Sequence, residues 1–166
     1  MSYCNSMTPM QQHEKYLNEA FDLAYQSLRT NIGGPFGAVV VRDGKILGKG
    51  GNRVIIQNDP TAHAEIVAIR EACTNIGHFD LSGAVLYATC EPCPMCLSAI
   101  YWANIREVFF CSTRYQAESA GFRDNHIYEE INHLPEEREM TFHQVPLPEA
   151  DGLFREWVEK QDKMVY

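Results

Sequence analysis

A chain of 166 residues, 45% of them hydrophobic, is long enough for one domain with its own core. Its formal net charge of −8 and scattered Lys and Arg residues argue against a nucleic-acid partner, which needs a basic patch to neutralise phosphates. No apolar run nears the roughly 18 residues of a membrane span, and "MSYCNSMTPMQQHEK" lacks the basic start and apolar core of a signal peptide, so we expect a single cytoplasmic domain over residues 1–166. In that compartment thiols stay reduced, and the six cysteines point to metal or catalysis rather than disulfides.

In chain order, Thr8 and Gln11 form a capping box with Pro9 at the first helical position, and Leu17, Phe21, Ala24 and Leu28 continue as an apolar stripe toward Gly33-Gly34. "FGAVVV" and "KILGKG" flank Asp43-Gly44, the pairing of a tight antiparallel hairpin. Asp59-Pro60 suits a helix start, with Ile66, Ile69, Cys73 and Ile76 on one face and Gly77 at its end. "AVLYAT" reads as a buried strand, Pro92 opens a helix running to about Trp102, "EVFFC" is a strand and "MTFHQV" a late one. Strands and helices alternate after residue 60, which predicts a mixed α/β sheet covered by helices.

The stretch "TCEPCPMC" repeats cysteine at every third position, Cys90, Cys93 and Cys96. An iron-sulfur reading needs a fourth cysteine four residues on, where Ile100 stands. Buried core thiols are the bland alternative, but C-P-M-C opens a predicted helix, whose amino terminus favours thiolates. Zinc remains, either closed by four protein ligands or left open to water, and spacing alone does not remove Cys90.

About 30 residues earlier, "NDPTAHAEIVAIREAC" places His63 and Glu65 as H-x-E. A lone histidine is more often a core or surface residue than a ligand, but H-x-E followed by P-C-x-x-C is the signature of the zinc nucleobase deaminases. One imidazole and two thiolates leave zinc an open position, where bound water ionises near neutral pH. Removing an exocyclic amine also needs a proton shuttle, and Glu65 fills that role; a closed four-ligand site would leave it with no task. Positions i and i+2 do not share a face in a regular helix, so both residues are expected in its first turn.

Together "GGPFGAVVV", "NDPTAHAEIVAIREAC", "CEPCPMCLSAIYWA" and "AGFRDNHIYEEI" resemble the bacterial guanine deaminases of the cytidine deaminase-like fold, over nearly the whole chain. The resemblance implies a three-layer α/β/α fold with a mixed five-stranded sheet. It implies one Zn²⁺ per subunit on His63, Cys93 and Cys96, with Glu65 as catalytic proton shuttle and Cys90 a bystander. Asn52, Phe36 and the backbone at Ala64 would face the base, and Gln116 would stand where the family carries an acidic base-recognising residue. The reaction implied is hydrolytic deamination of guanine to xanthine and ammonia. The family is also dimeric, with a carboxy-terminal segment, here 150–166 ending in Tyr166, crossing to the partner. Leu153, Phe154, Trp157 and Val158 form an apolar stripe there that a helix packed on its own core would equally show. The rivals are deamination of guanosine, of a cytosine-type base or of a tRNA adenosine, and a non-enzymatic module with Cys90 as fourth zinc ligand.

Overall fold

The structure is a computed structural model that describes residues 8–165, so Tyr166 lies outside the described residues. Helix α1 (Pro9–Arg29) starts on the expected capping box: Thr8 Oγ1 accepts from the Gln11 N–H at 3.3 Å, and Gln11 Oε1 accepts from the Thr8 N–H at 2.9 Å. Its last residue, Arg29, comes four residues before Gly33, with Thr30 as cap, because Asn31 turns the chain with φ 55°. Its buried stripe is Tyr16, Ala20, Ala24 and Ser27, while Leu28 stays exposed.

Strands β1 (Gly37–Arg42) and β2 (Lys45–Gly51) form the hairpin, with Asp43 and Gly44 at φ 51° and 73°, the paired left-handed conformation of the favoured two-residue turn. Strand β3 (Val85–Cys90) lies antiparallel to β1, and β4 (Glu107–Ser112) runs parallel to β3. The sheet is therefore mixed, in the order β2-β1-β3-β4. The described residues give it four strands, not the five expected. The "MTFHQV" stretch is not a strand: Met140, Phe142 and Val145 are exposed, so its alternating pattern has no buried face to set a register.

Period-2 alternation sorts β1 and β3 onto two faces. Val39, Val41 and Tyr87 pack with Tyr16 of α1 on one side. Ala38, Val40, Leu86 and Ala88 pack on the other, against α3 (Ala64–Ile76) and α4 (Pro94–Trp102), completing three layers. Helix α3 begins later than Asp59-Pro60 predicts, because Asp59 Oδ1 accepts from the Thr61 N–H at 2.8 Å and from its hydroxyl at 2.7 Å, holding a turn until His63.

The remaining helices are α2 (Val54–Gln57), α5 (Arg114–Ser119), α6 (Asp124–Asn132) and α7 (Pro148–Glu159). Two compact units result, Met1–Tyr128 and Glu129–Tyr166, and everything described below as the site lies in the first. No described helix is long and apolar enough to cross a membrane.

Candidate metal centre and active site

The sheet delivers both halves of the zinc signature to helix amino termini. His63 is the residue that starts α3, in extended backbone at φ −68° and ψ 155°, and Cys93 starts α4 in the same way at φ −66° and ψ 168°. Neither side chain caps its own helix, so both are left for other partners. Cys96 follows inside the first turn of α4. The three donor atoms lie within 4.8 Å of one another, and no other group of three His, Cys, Asp or Glu side chains among the described residues comes together so closely.

His63 Nδ1 stands 3.5 Å from Cys93 Sγ and 3.6 Å from Cys96 Sγ. A tetrahedral zinc with bonds of about 2.0 Å to nitrogen and about 2.3 Å to sulfur sets that nitrogen–sulfur separation at about 3.5 Å. The donor set therefore fits zinc in number, chemistry and spacing. The hydrogen bond from the Cys96 thiol draws the Cys93 thiol down to about 4, the Cys96 proton is held tightly in return, and the Cys93 contact raises His63. A thiolate is thus ready for the metal, with two amino-terminal helix dipoles aimed at it.

Glu65, the second residue of α3, is 7% exposed, and burial pushes its carboxyl up to about 7. The expected first-turn placement of His63 and Glu65 holds, with His63 just outside the helix and Glu65 just inside. Both face a cavity of about 410 Å³, lined also by Phe36, Asn52, Cys90, Glu91, Cys93, Phe122 and Asp124. The Phe36 and Phe122 rings meet edge to face at 4.6 Å and form one wall of it.

Asn52 is buried and its orientation is fixed. Oδ1 accepts from the Gly34 N–H at 3.1 Å and from the Val54 N–H at 3.2 Å, so the amide nitrogen is the atom left to donate into the cavity. Ala64 is 1% exposed and its methyl group belongs to the core, leaving only its backbone near the site.

Gln116 is not among the residues that line this cavity. Its side chain caps α5, with Oε1 accepting from the Thr113 N–H at 2.8 Å, and it borders a neighbouring space of about 240 Å³. The carboxylate that does line the site is Asp124, at the start of α6, its acidity lowered by burial and by the Cys93 thiolate. Sequence reasoning missed it although it lies within the quoted "AGFRDNHIYEEI". The available signal was Gly121, which at φ 95° ends one helix and lets Asp124 begin the next.

Cys90 lines the cavity without joining the tripod; it donates to the Thr113 carbonyl at 3.7 Å, and burial pushes its thiol up to about 11. All five cysteines among the described residues are free thiols.

The chain is similar to known proteins over much of its length. The chain is 48% identical over 154 residues to the guanine deaminase of Bacillus subtilis, covering 93% of this chain and 99% of that protein. The crystal structure of a Bacillus subtilis guanine deaminase superposes with a TM-score of 0.89 over 93% of this chain and 98% of that one. A structure of guanine deaminase from Nitrosomonas europaea is 26% identical, with a TM-score of 0.62 over 73% of this chain and 76% of that one. A tRNA-specific adenosine deaminase from Agrobacterium fabrum is 51% identical, but over only 46% of this chain and 50% of that protein. The profile of the cytidine and deoxycytidylate deaminase zinc-binding region matches residues 10–112, a span that includes His63, Glu65, Cys93 and Cys96. More than half of the sequence and the whole donor set fall inside that match, so this chain belongs to the cytidine and deoxycytidylate deaminase zinc-binding family.

Proposed function

We propose that this protein is a zinc-dependent guanine deaminase that converts guanine and water to xanthine and ammonia. The observation that carries the reading is the tripod of His63, Cys93 and Cys96 opening, beside buried Glu65, into a cavity with Asn52 and Asp124 on its walls. When bound, zinc supplies a polarised water that loses a proton near neutral pH. The three side chains hold that ion from helix amino termini. Glu65, with its carboxyl near 7, takes one proton from the attacking water and passes it to the ring nitrogen, then takes the second proton of that same oxygen and passes it to the leaving amine.

Purine recognition follows from donors and acceptors. Asn52 Nδ2 donates to a ring acceptor, and Asp124 accepts from the N–H groups that guanine presents beside its carbonyl. The Phe36 and Phe122 rings pack against the planar base. The similarity to a guanine deaminase over 93% of the chain supports this substrate, whereas the tRNA-specific adenosine deaminase matches 46%. The net charge of −8 also weighs against a tRNA substrate.

The reading extends to a cytoplasmic homodimer in which residues 150–166 cross to the partner. Leu153, Phe154, Trp157 and Val158 of α7 are all exposed in the single chain, as a stripe awaiting a second chain would be. Light scattering that returned a monomer would remove this part.

The test of the reaction is to incubate zinc-loaded protein separately with guanine, guanosine, adenine, adenosine, cytosine and cytidine and follow ammonia and the ring product. Xanthine and ammonia in equal amounts from guanine are expected; no release from guanine with zinc bound overturns the reading.

A further inference from the structure

Beyond the tripod and the cavity walls, one connected group of side chains ties them together. Between β3 and α4 the chain runs Cys90-Glu91-Pro92-Cys93, and Glu91 and Pro92 are anchored from outside by one connected set of side chains. The Glu91 carboxylate accepts from the Arg114 backbone N–H at 3.0 Å and pairs with its guanidinium at 3.5 Å. That guanidinium stacks over the Tyr128 ring at 4.6 Å and the Tyr115 ring at 5.1 Å. The circuit closes where the Tyr128 hydroxyl donates to the Pro92 carbonyl at 2.8 Å, one residue before Cys93.

Tyr128 stands four positions after Asp124 on α6, so the two side chains share one helix face. A single hydroxyl therefore joins the helix that carries the cavity's acidic wall to the loop that carries a zinc ligand. Glu91 itself lines the cavity, and Arg114 Nε is buried with no hydrogen-bond partner among the described residues. The guanidinium is held there by its Nη contacts and by the two rings rather than by full solvation of its donors.

We propose that Tyr128 is a positioning residue: its bond to Pro92, backed by Arg114 and Glu91, sets the placement of Asp124 against the base and steadies Cys93 on the metal. This rests on the reading of the site as a guanine deaminase, because it works through the residue assigned to hold the base. Two consequences differ from those of an ordinary packing residue. Loosening the bond weakens substrate capture more than turnover, since Glu65 and His63 sit on another helix. It also frees the ligand loop, so the metal leaves faster.

The variant is Tyr128→Phe, which removes the hydroxyl and keeps the ring beneath Arg114. KM for guanine is expected to rise about 5- to 10-fold with kcat changed less than about twofold, the signature of lost binding. In an Asp124→Asn background the same substitution is expected to add little to KM, because the residue it acts through is already gone. Zinc release to a chromogenic chelator, which needs no substrate, is expected to be several-fold faster. A lowered melting temperature with KM and release rate unchanged overturns the proposal, as does a full additive effect in the Asp124→Asn background. Wild-type protein that releases no ammonia from guanine overturns the substrate reading instead, and the release rate then decides the role of Tyr128.

Discussion

Glu65 and Asn52, the proposed proton shuttle and base donor, differ in what their surroundings leave them free to do. Burial raises the Glu65 carboxyl to about 7, so proton uptake and return are balanced where the cell works. Glu65→Ala leaves all three donors intact and is expected to keep one zinc per chain while kcat falls roughly 10²- to 10⁴-fold; ammonia release and metal content by atomic absorption check both halves, and retention of most activity would end the shuttle assignment. Asn52 has spent its oxygen on two backbone N–H groups, so only its nitrogen is free. Asn52→Asp preserves those bonds and turns the cavity-facing donor into an acceptor, which should cost about 1–3 kcal/mol of transition-state binding, or roughly 5- to 150-fold in kcat/KM; an unchanged kcat/KM for guanine would show that this atom does not meet the base. Cys90 is set apart from the ligand Cys93 by a thiol pushed up to about 11 against one drawn down to about 4. Cys90→Ala should bind zinc one to one, and loss of metal would make it a fourth ligand. The zinc residues were readable in sequence because H-x-E and P-C-x-x-C are each local. Asp124 was not, because only tertiary packing brings the start of α6 to the cavity that Glu65 lines.

Helices α3 and α4 show why element boundaries matter more here than element identity. Both ligands that begin a helix do so from extended backbone, and a start at Asp59 or Pro92 would have rotated His63 or Cys93 away from the shared centre. The Asp59–Thr61 turn that delays α3 is a side-chain effect, visible only once its hydrogen bonds are seen. The hairpin turn and the Thr8 capping box were legible because Arg42 and Lys45, and Thr8 and Gln11, each stand three residues apart. Helix α3 is held against β2 by the absence of side chains: a Cβ on Gly50 would run into the Ala64 carbonyl and come within 2.7 Å of the Ala68 nitrogen. Ala64 lies between His63 and Glu65, so any displacement there moves both. Gly50→Ala is therefore expected to destabilise the protein by about 1–3 kcal/mol in urea unfolding and to lower kcat as well. Gly152→Ala, in α7 with nothing within 4 Å, serves as the contrast and should be neutral or stabilising. Equal stability of the two variants would mean that α3 does not press on β2 as closely as described.

The architecture as a whole decides whether zinc makes this fold or is carried by it. Mixed α/β layering was legible from the alternation of strand and helix, but strand number was not, since "MTFHQV" has strand-like residues and no partner edge among the described residues. The main core joins β1, β3, α3 and α4 through Ala38, Val40, Leu86, Ala88, Ala68 and Ile100. It contains none of the three ligands. Cys93 and Cys96 pack instead in a separate small cluster with Ile66. A domain whose core is complete without its metal does not unfold when the metal leaves, unlike a zinc finger, whose ligands are most of its interior. Zinc still stabilises by binding only the folded chain, by about 4 kcal/mol at a free concentration near 1,000 times Kd. For a chain of this size each kcal/mol moves Tm by about 2–4 °C, so stripping zinc with a chelator should lower Tm by roughly 8–16 °C. The far-UV circular dichroism at 25 °C should change little, and zinc added back should restore both Tm and ammonia release from guanine. Loss of the far-UV signal on chelation would instead make the tripod part of the folding core, as the structural-zinc alternative requires.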